Sequence, residues 1–458
     1  MTRAIMVAGL GGGAGKSVVA VGLTAAFTRL GKRVVPFKKG PDYIDAGWLQ
    51  LAAGQSCYNL DPYLMSEAAI RDSFITHADA AEIVVIEGNR GLYDGVNLEG
   101  SYSTAELAVM LEIPVLLVVN CTKTTRTVAA MVMGCQQFDP RVKIRGVILN
   151  QVGTVRHEKI VRQTVEHYTG IPVLGAVPRM KTDIFPQRHL GITPHQEYDG
   201  AEVASQKLGG IAAKHLDLQK IEEVMNEIPL PAKKEEGESQ MSSSTSVRIG
   251  ILKDAAFQFY YPENIEALQK EGAEIVEINA MTAAILPELD ALYIGGGFPE
   301  TSSKRLSDNE TFRQSVLQAV ESGLPVYAEC GGLIYLGESI TLEGKEFPLV
   351  GVFPVRFGLE KKPQAHGYTM LKASGQNGFY PLGEEIKGHE FRYSKVLEWQ
   401  GNSKDLALTM QRGVGFADGR DGLVYKNVLA LYSHVHAVAT PQWAGNLVVK
   451  AREFKENR

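Results

Sequence analysis

Short apolar runs alternate with helical patterns through the first half of the chain. The runs fall at Ala4–Ala8, Arg33–Phe37, Ile83–Glu87, Val115–Val119, Ile144–Leu149 and Pro172–Val177, with helical periodicity over Ser17–Arg29 and Thr104–Leu111. That alternation predicts parallel strands joined by helices, a sheet whose ligands bind at the carboxyl ends of its strands. Residues 229–246 then bring Pro, Ser and charge with almost no large apolar side chain. Such a segment buries too little surface to order itself and reads as a linker. Beyond it the pattern resumes with strands at Val247–Leu252, Glu274–Glu277, Ala291–Ile294 and Pro325–Ala328 and helices at Glu263–Glu271 and Asn309–Ser322. A polar, Gly-rich stretch from Leu342 to Arg420 predicts a β-rich portion, and the chain is expected to close on a strand at Val428–Tyr432. The expected organisation is therefore an α/β domain over 1–228, a linker over 229–246 and a second α/β domain over 247–458.

Length agrees, since 458 residues exceed one ordinary core. Charged residues make up 22% and the formal net charge is −5, with no dense basic block. A nucleic-acid partner, which would need a basic face, is not expected. The four cysteines, Cys57, Cys121, Cys135 and Cys330, are far apart. They form neither a disulfide framework nor a zinc pattern. With no secretory leader pattern and no apolar run long enough to span a bilayer, a cytoplasmic location is expected.

Two motifs carry chemistry. The first runs Gly9-Leu10-Gly11-Gly12-Gly13-Ala14-Gly15-Lys16-Ser17 between a strand and a helix. Glycines let backbone N–H groups approach phosphate oxygens, and the helix N-terminus adds its positive end. Gly12, Gly13, Ala14 and Gly15 are expected around the phosphates of ATP, Lys16 on the β/γ-phosphates and Ser17 on Mg²⁺. Leu10 stands where the usual pattern has its first glycine. Glu87 ends an apolar strand, a position from which a carboxylate reaches Mg²⁺. Asp42 and Asp45 follow Lys38 and Lys39 after the second strand; for both acids, turn capping competes with a metal role.

The second motif is Glu329-Cys330-Gly331-Gly332, where a strand turns sharply into a helix. A thiol on such an elbow is exposed at the sheet edge, and the helix N-terminus favours its thiolate. Gly331, together with Gly296 and Gly297 after the strand Ala291–Ile294, supplies candidate oxyanion N–H groups. The base is expected to be His434 or His436, which alternation places on one face and does not separate. Cys57, Cys121 and Cys135 read as packing residues, and His366 and His389 as loop histidines beside glycines.

In order along the chain, Gly15–Ser17, Phe37–Asp45, Asn59–Pro62, Glu87–Gly95, Tyr293–Glu300, Cys330–Leu336, Gly388–Phe391 and Tyr432–His436 resemble the cobyrinic acid a,c-diamide synthase family. The resemblance implies a P-loop domain of the dethiobiotin-synthetase type followed by a class I glutamine amidotransferase domain. It implies ATP-dependent amidation of tetrapyrrole acetate side chains through an acyl phosphate, with ammonia from glutamine. On that resemblance Cys330 is the nucleophile and His434 its base. Lys16, Ser17, Asp42 and Glu87 serve ATP and Mg²⁺; from the residues themselves Lys38 and Lys39 are expected to reach phosphate, and Asp45, Arg90, Tyr93, Asp94 and Arg392 are candidates for the tetrapyrrole. Arg90 and Arg392 depart from the family's usual residues, and the same chemistry on sirohaem or nickel-sirohydrochlorin is the alternative acceptor. A homodimer is admitted. A partition-type ATPase would share the P-loop half, but it commonly has a second lysine where Gly11 stands, and it would leave Cys330 and His434 without a role.

Overall fold

A computed structural model describes residues 1–79, 81–180, 187–188, 191–229 and 246–458. The chain divides into two compact units, Met1–Glu236 and Gly237–Arg458. Apart from its two end residues, the stretch read as a linker lies outside the described residues.

Seven parallel strands order the first unit's sheet: Tyr58–Leu60, Val34–Lys39, Ile83–Glu87, Arg3–Gly9, Val115–Asn120, Ile144–Val152 and Val173–Pro178. Helices cover both faces of such a sheet, which is why its strands are apolar almost throughout. The helix Lys16–Arg29 is buried nearly all round from Val19 to Phe27. It lies against the helix Ala201–His215, and two glycines set the approach. A Cβ on Gly22 would come 3.0 Å from the Leu208 carbonyl oxygen, and one on Gly209 2.9 Å from the Ala25 Cβ. A helix buried on every side cannot tilt to accommodate a new side chain, so the N-terminus at Gly15–Ser17 is held firmly.

The second unit carries a sheet ordered Ala273–Ile278, Val247–Leu252, Ala291–Ile294, Val326–Glu329, Val428–Leu431 and Leu423–Tyr425, parallel except for the last hairpin. The expected β-rich stretch forms two smaller sheets, one of which pairs Glu385–Arg392 with Ala365–Ala373 and with the short strand His434–Val435. The chain does not close on Val428–Tyr432. That strand stops at Leu431, because the Asp421 carboxylate takes the Tyr432 and Ser433 N–H groups at 3.1 and 3.3 Å. His434 then crosses to the other sheet, and the chain runs on into the helix Gln442–Asn457, which buries Trp443, Leu447 and Val448. Among the described residues no helix is long and apolar enough to cross a membrane.

Candidate active sites

In the first unit the glycine loop leaves the central strand at its carboxyl end and closes on the helix through Gly15, whose φ of 96° suits glycine. Asn150, buried at the end of the strand Ile144–Val152, donates its Nδ2 to the Ala14 carbonyl at 2.9 Å and pins the loop. A Cβ on Gly15 would lie 2.0 Å from that nitrogen. Nothing in the sequence around Asn150 marks this role, since the contact spans 136 residues. Lys16 folds back over the loop and donates to the Gly11 carbonyl at 3.1 Å.

Three oxygens converge beside it. The Ser17 hydroxyl lies 2.8 Å from Glu87 Oε1 and 3.3 Å from Asp45 Oδ1. Lys38 Nζ joins the same group, 2.8 Å from Asp45 Oδ2, 3.3 Å from Glu87 Oε1 and 3.2 Å from the Gly88 carbonyl oxygen. Glu87 is completely buried, and its Oε2 has no hydrogen-bond partner. Burial first, then the charge of Asp45, pushes its carboxyl up to about 7 against the pull of Lys38. Burial opposes the charge on Lys38 too, but Asp45 and Glu87 outweigh it and hold the ammonium protonated. The site is a tightly packed charge cluster with one carboxylate oxygen left unmatched.

Several sequence expectations change here. Lys38, expected on phosphate, is committed to Asp45 and Glu87. Asp42, expected on the metal, caps the helix Tyr43–Ala53: its Oδ1 accepts from the Ile44 and Asp45 N–H groups at 2.9 and 3.0 Å. Asp45, expected on the tetrapyrrole, joins Glu87 beside Ser17. Tyr93 turns away from the loop, donating its hydroxyl to the Cys135 carbonyl at 2.6 Å and packing on Phe138. Asp94 is exposed, accepts from Gly91 N–H at 2.8 Å and lends its charge to Lys16. Arg90 is exposed beside this turn with a φ of 51°.

In the second unit Cys330 sits between strand and helix with φ 46° and ψ −93°, the strained backbone of a nucleophile elbow. Its thiol hydrogen-bonds His434. Gly296 packs directly on that imidazole: a Cβ there would lie 2.2 Å from His434 Cε1. A Cβ on Gly331 would lie 3.0 Å from the Gly297 nitrogen, so the backbones of the two expected oxyanion residues meet beside the cysteine. His434 and His436 are both buried but face different acids. His434 Nδ1 is 3.7 Å from Glu329 Oε2, and His436 Nε2 is 3.7 Å from Glu263 Oε1. Burial alone would push His434 down, but Cys330 and the ion pair with Glu329, 3.7 Å away, raise it to about 9.

His389 was expected in a loop. It lies within the strand Glu385–Arg392, its ring stacked on His434 at 4.9 Å between centroids. Burial, and then the neighbouring histidines, hold it well below the ordinary histidine range, so it is neutral. His366, also expected in a loop, lies in the strand Ala365–Ala373, exposed and packed on Phe391. Arg392, expected on a substrate carboxylate, is buried and donates to the carbonyls of Ser394 and Gly415, both at 2.7 Å, with its guanidinium 3.9 Å above the Tyr432 ring. It braces the strand break before His434 and presents no charge to solvent.

Comparison with known proteins divides the chain in the same order. Residues 5–191 match the CobQ/CobB/MinD/ParA nucleotide binding domain and residues 248–442 the CobB/CobQ-like glutamine amidotransferase domain. A cobyrinate a,c-diamide synthase of Magnetococcus marinus is 41% identical over 94% of this chain and 93% of its own length. One of Archaeoglobus fulgidus is 38% identical over 98% of both, and one of Methanothermobacter thermautotrophicus is 39% identical over 98% of this chain and all of its own.

Proposed function

Since the chain belongs to the cobyrinate a,c-diamide synthase family, and is therefore a glutamine-dependent amidating ligase with a nucleotide-binding domain, we propose that it converts cobyrinate to its a,c-diamide with ATP and glutamine. The observation that carries the glutaminase half is Cys330 on its elbow, hydrogen-bonded to His434 between Gly296 and Glu329. In this reading the thiolate attacks the side-chain amide carbon of glutamine, and the Gly297 and Gly331 N–H groups take the developing oxyanion. His434 gives a proton to the departing ammonia, then takes one from the water that cleaves the thioester to glutamate.

In the first unit a carboxylate of the tetrapyrrole attacks the γ-phosphorus of ATP, ADP leaves, and ammonia then displaces phosphate from the acyl carbon. Lys16 and the loop N–H groups hold the β/γ-phosphates. The residues present fit Mg²⁺. Among the described residues no three His, Cys, Asp or Glu side chains gather as a protein-only metal site. Mg²⁺, however, takes one or two carboxylates and fills its shell from phosphates and water. Ser17 Oγ, Asp45 Oδ1 and Glu87 are such a set, and the unmatched Glu87 Oε2 is the atom a cation would satisfy. Bound there, Mg²⁺ would neutralise phosphate charge. Asp42 serves indirectly, by fixing the start of the helix that carries Asp45. Arg90 and Asp94, both exposed beside the loop, remain the residues proposed to meet the acceptor.

Mass spectrometry of each candidate acceptor after incubation with enzyme, Mg-ATP and glutamine tests the assignment. Cobyrinate should exchange two carboxylate oxygens for nitrogen in succession. Cobyrinate left unchanged while sirohaem or nickel-sirohydrochlorin is amidated would transfer the activity to that acceptor.

A further inference from the structure

Two buried carboxylates each lie 3.7 Å from a buried histidine. Glu263 faces His436. Glu329 is the residue immediately before the nucleophile, is completely buried, and faces His434. Along a strand, neighbouring side chains point to opposite faces, so a residue adjoining a nucleophile normally points away from its base. Here the chain leaves the strand at Cys330 with a positive φ, which swings the thiol round toward the imidazole that Glu329 already faces.

The carboxylate is also held. Glu329 Oε1 accepts from the Val435 N–H at 3.0 Å, and Oε2 accepts from the Tyr293 hydroxyl at 3.1 Å. Val435 adjoins His434, and Tyr293 lies on the neighbouring strand, with Asn264 Nδ2 donating to its hydroxyl at 3.3 Å. A carboxylate clamped from the histidine's own backbone and from the central sheet has little freedom to leave the imidazole. Cys330, the Gly296 backbone, the stacked, neutral His389 and, at its edge, Phe259 also lie against His434. Of the two acids, Glu329 faces His434 and Glu263 faces His436.

We propose that Glu329 is the positioning carboxylate of the glutaminase site, holding a proton on His434 Nδ1 so that Nε2 exchanges its proton with the Cys330 sulfur. Nucleophile and orienting acid are thus adjacent residues, the acid the last of its strand and the nucleophile the first beyond it, and both face the same imidazole. This inference rests on the glutaminase reading of Cys330 and His434.

Glu329→Gln tests it, because the amide keeps an oxygen for the Val435 N–H and removes only the charge. The glutaminase kcat should fall by about a hundredfold or more at a nearly unchanged KM for glutamine. The limb of the kcat profile governed by His434 should move to lower pH by about one unit or more, since a negative charge beside the imidazolium is gone. A variant that melts with the wild type and keeps its kcat overturns the proposal. So does one that loses kcat while its pH limb stays in place, since that outcome belongs to a purely structural residue. If Glu329→Gln does not fold, Glu329→Asp, which keeps the charge and shortens the reach, should lower kcat with its pH limb near the wild-type position, and an unchanged kcat overturns the proposal. Absence of glutamine hydrolysis by the wild-type protein would instead sink the glutaminase reading itself.

Discussion

Burial and pairing pull His434 in opposite directions, and pairing wins. Its folded value of about 9 lies above the ordinary 6.5. A group raised in the folded state favours folding fully below its unfolded pKa, and that contribution is lost as pH climbs through the folded one. We therefore expect the wild type to exceed His434→Gln in stability by the most below about pH 6.5, on the order of a few kcal/mol. The gap should narrow steadily up to about pH 9. Paired thermal melts across that range would show it, and a gap that is flat or widens with pH would refute the charge pairing. The residues on which this turns were unevenly legible. The turn at Cys330 was legible, because an elbow leaves a local signature of strand, cysteine and paired glycines. Between His434 and His436 alternation could not choose, since the choice depends on a strand break and on two acids distant in sequence or facing. Asp42 and Arg392 misled for one shared reason: a charged residue in a polar motif reads as a ligand group, while here each satisfies backbone groups instead.

Strands and helices were far easier to read than the breaks between them. The apolar runs of both central sheets match their predicted positions to within a residue or two at most ends, because a doubly covered strand must be apolar along its length. The break after Leu431 was not legible. It depends on the Asp421 carboxylate, completely buried, bonded to Gly422, Tyr432 and Ser433, and pushed up to about 7 by that burial. Periodicity over Val428–Tyr432 contains no trace of a partner eleven residues earlier. The break is nevertheless what sends His434 to the second sheet. Asp421→Ala would leave the Tyr432 and Ser433 N–H groups buried and unmet, at about 1–3 kcal/mol each. We expect a clearly lower urea midpoint with the slope unchanged, and a glutaminase kcat/KM lowered as His434 shifts. An unchanged midpoint would mean that the strand break does not depend on this carboxylate.

The molecule divides into two compact units, and the residues proposed for the two chemistries fall one set in each. Separate sites predict separable losses. Lys16→Ala removes the cation of the phosphate loop while leaving every residue of the Cys330 site intact. Such a protein should hydrolyse glutamine yet amidate nothing, whether glutamine or an ammonium salt supplies the nitrogen. Cys330→Ala should do the reverse, losing glutamine as a donor and keeping ammonium. Its ammonium-dependent rate should rise with pH, because only the unprotonated amine carries the lone pair that attacks an acyl phosphate. Measuring glutamate, ADP and amide in the same reactions separates the steps: Cys330→Ala with glutamine alone should form no amide. Amide formation by that variant from glutamine would mean that another residue releases the ammonia. Failure with both donors would mean that Cys330 also supports the synthetase unit, and the division of labour proposed for the two units would fall.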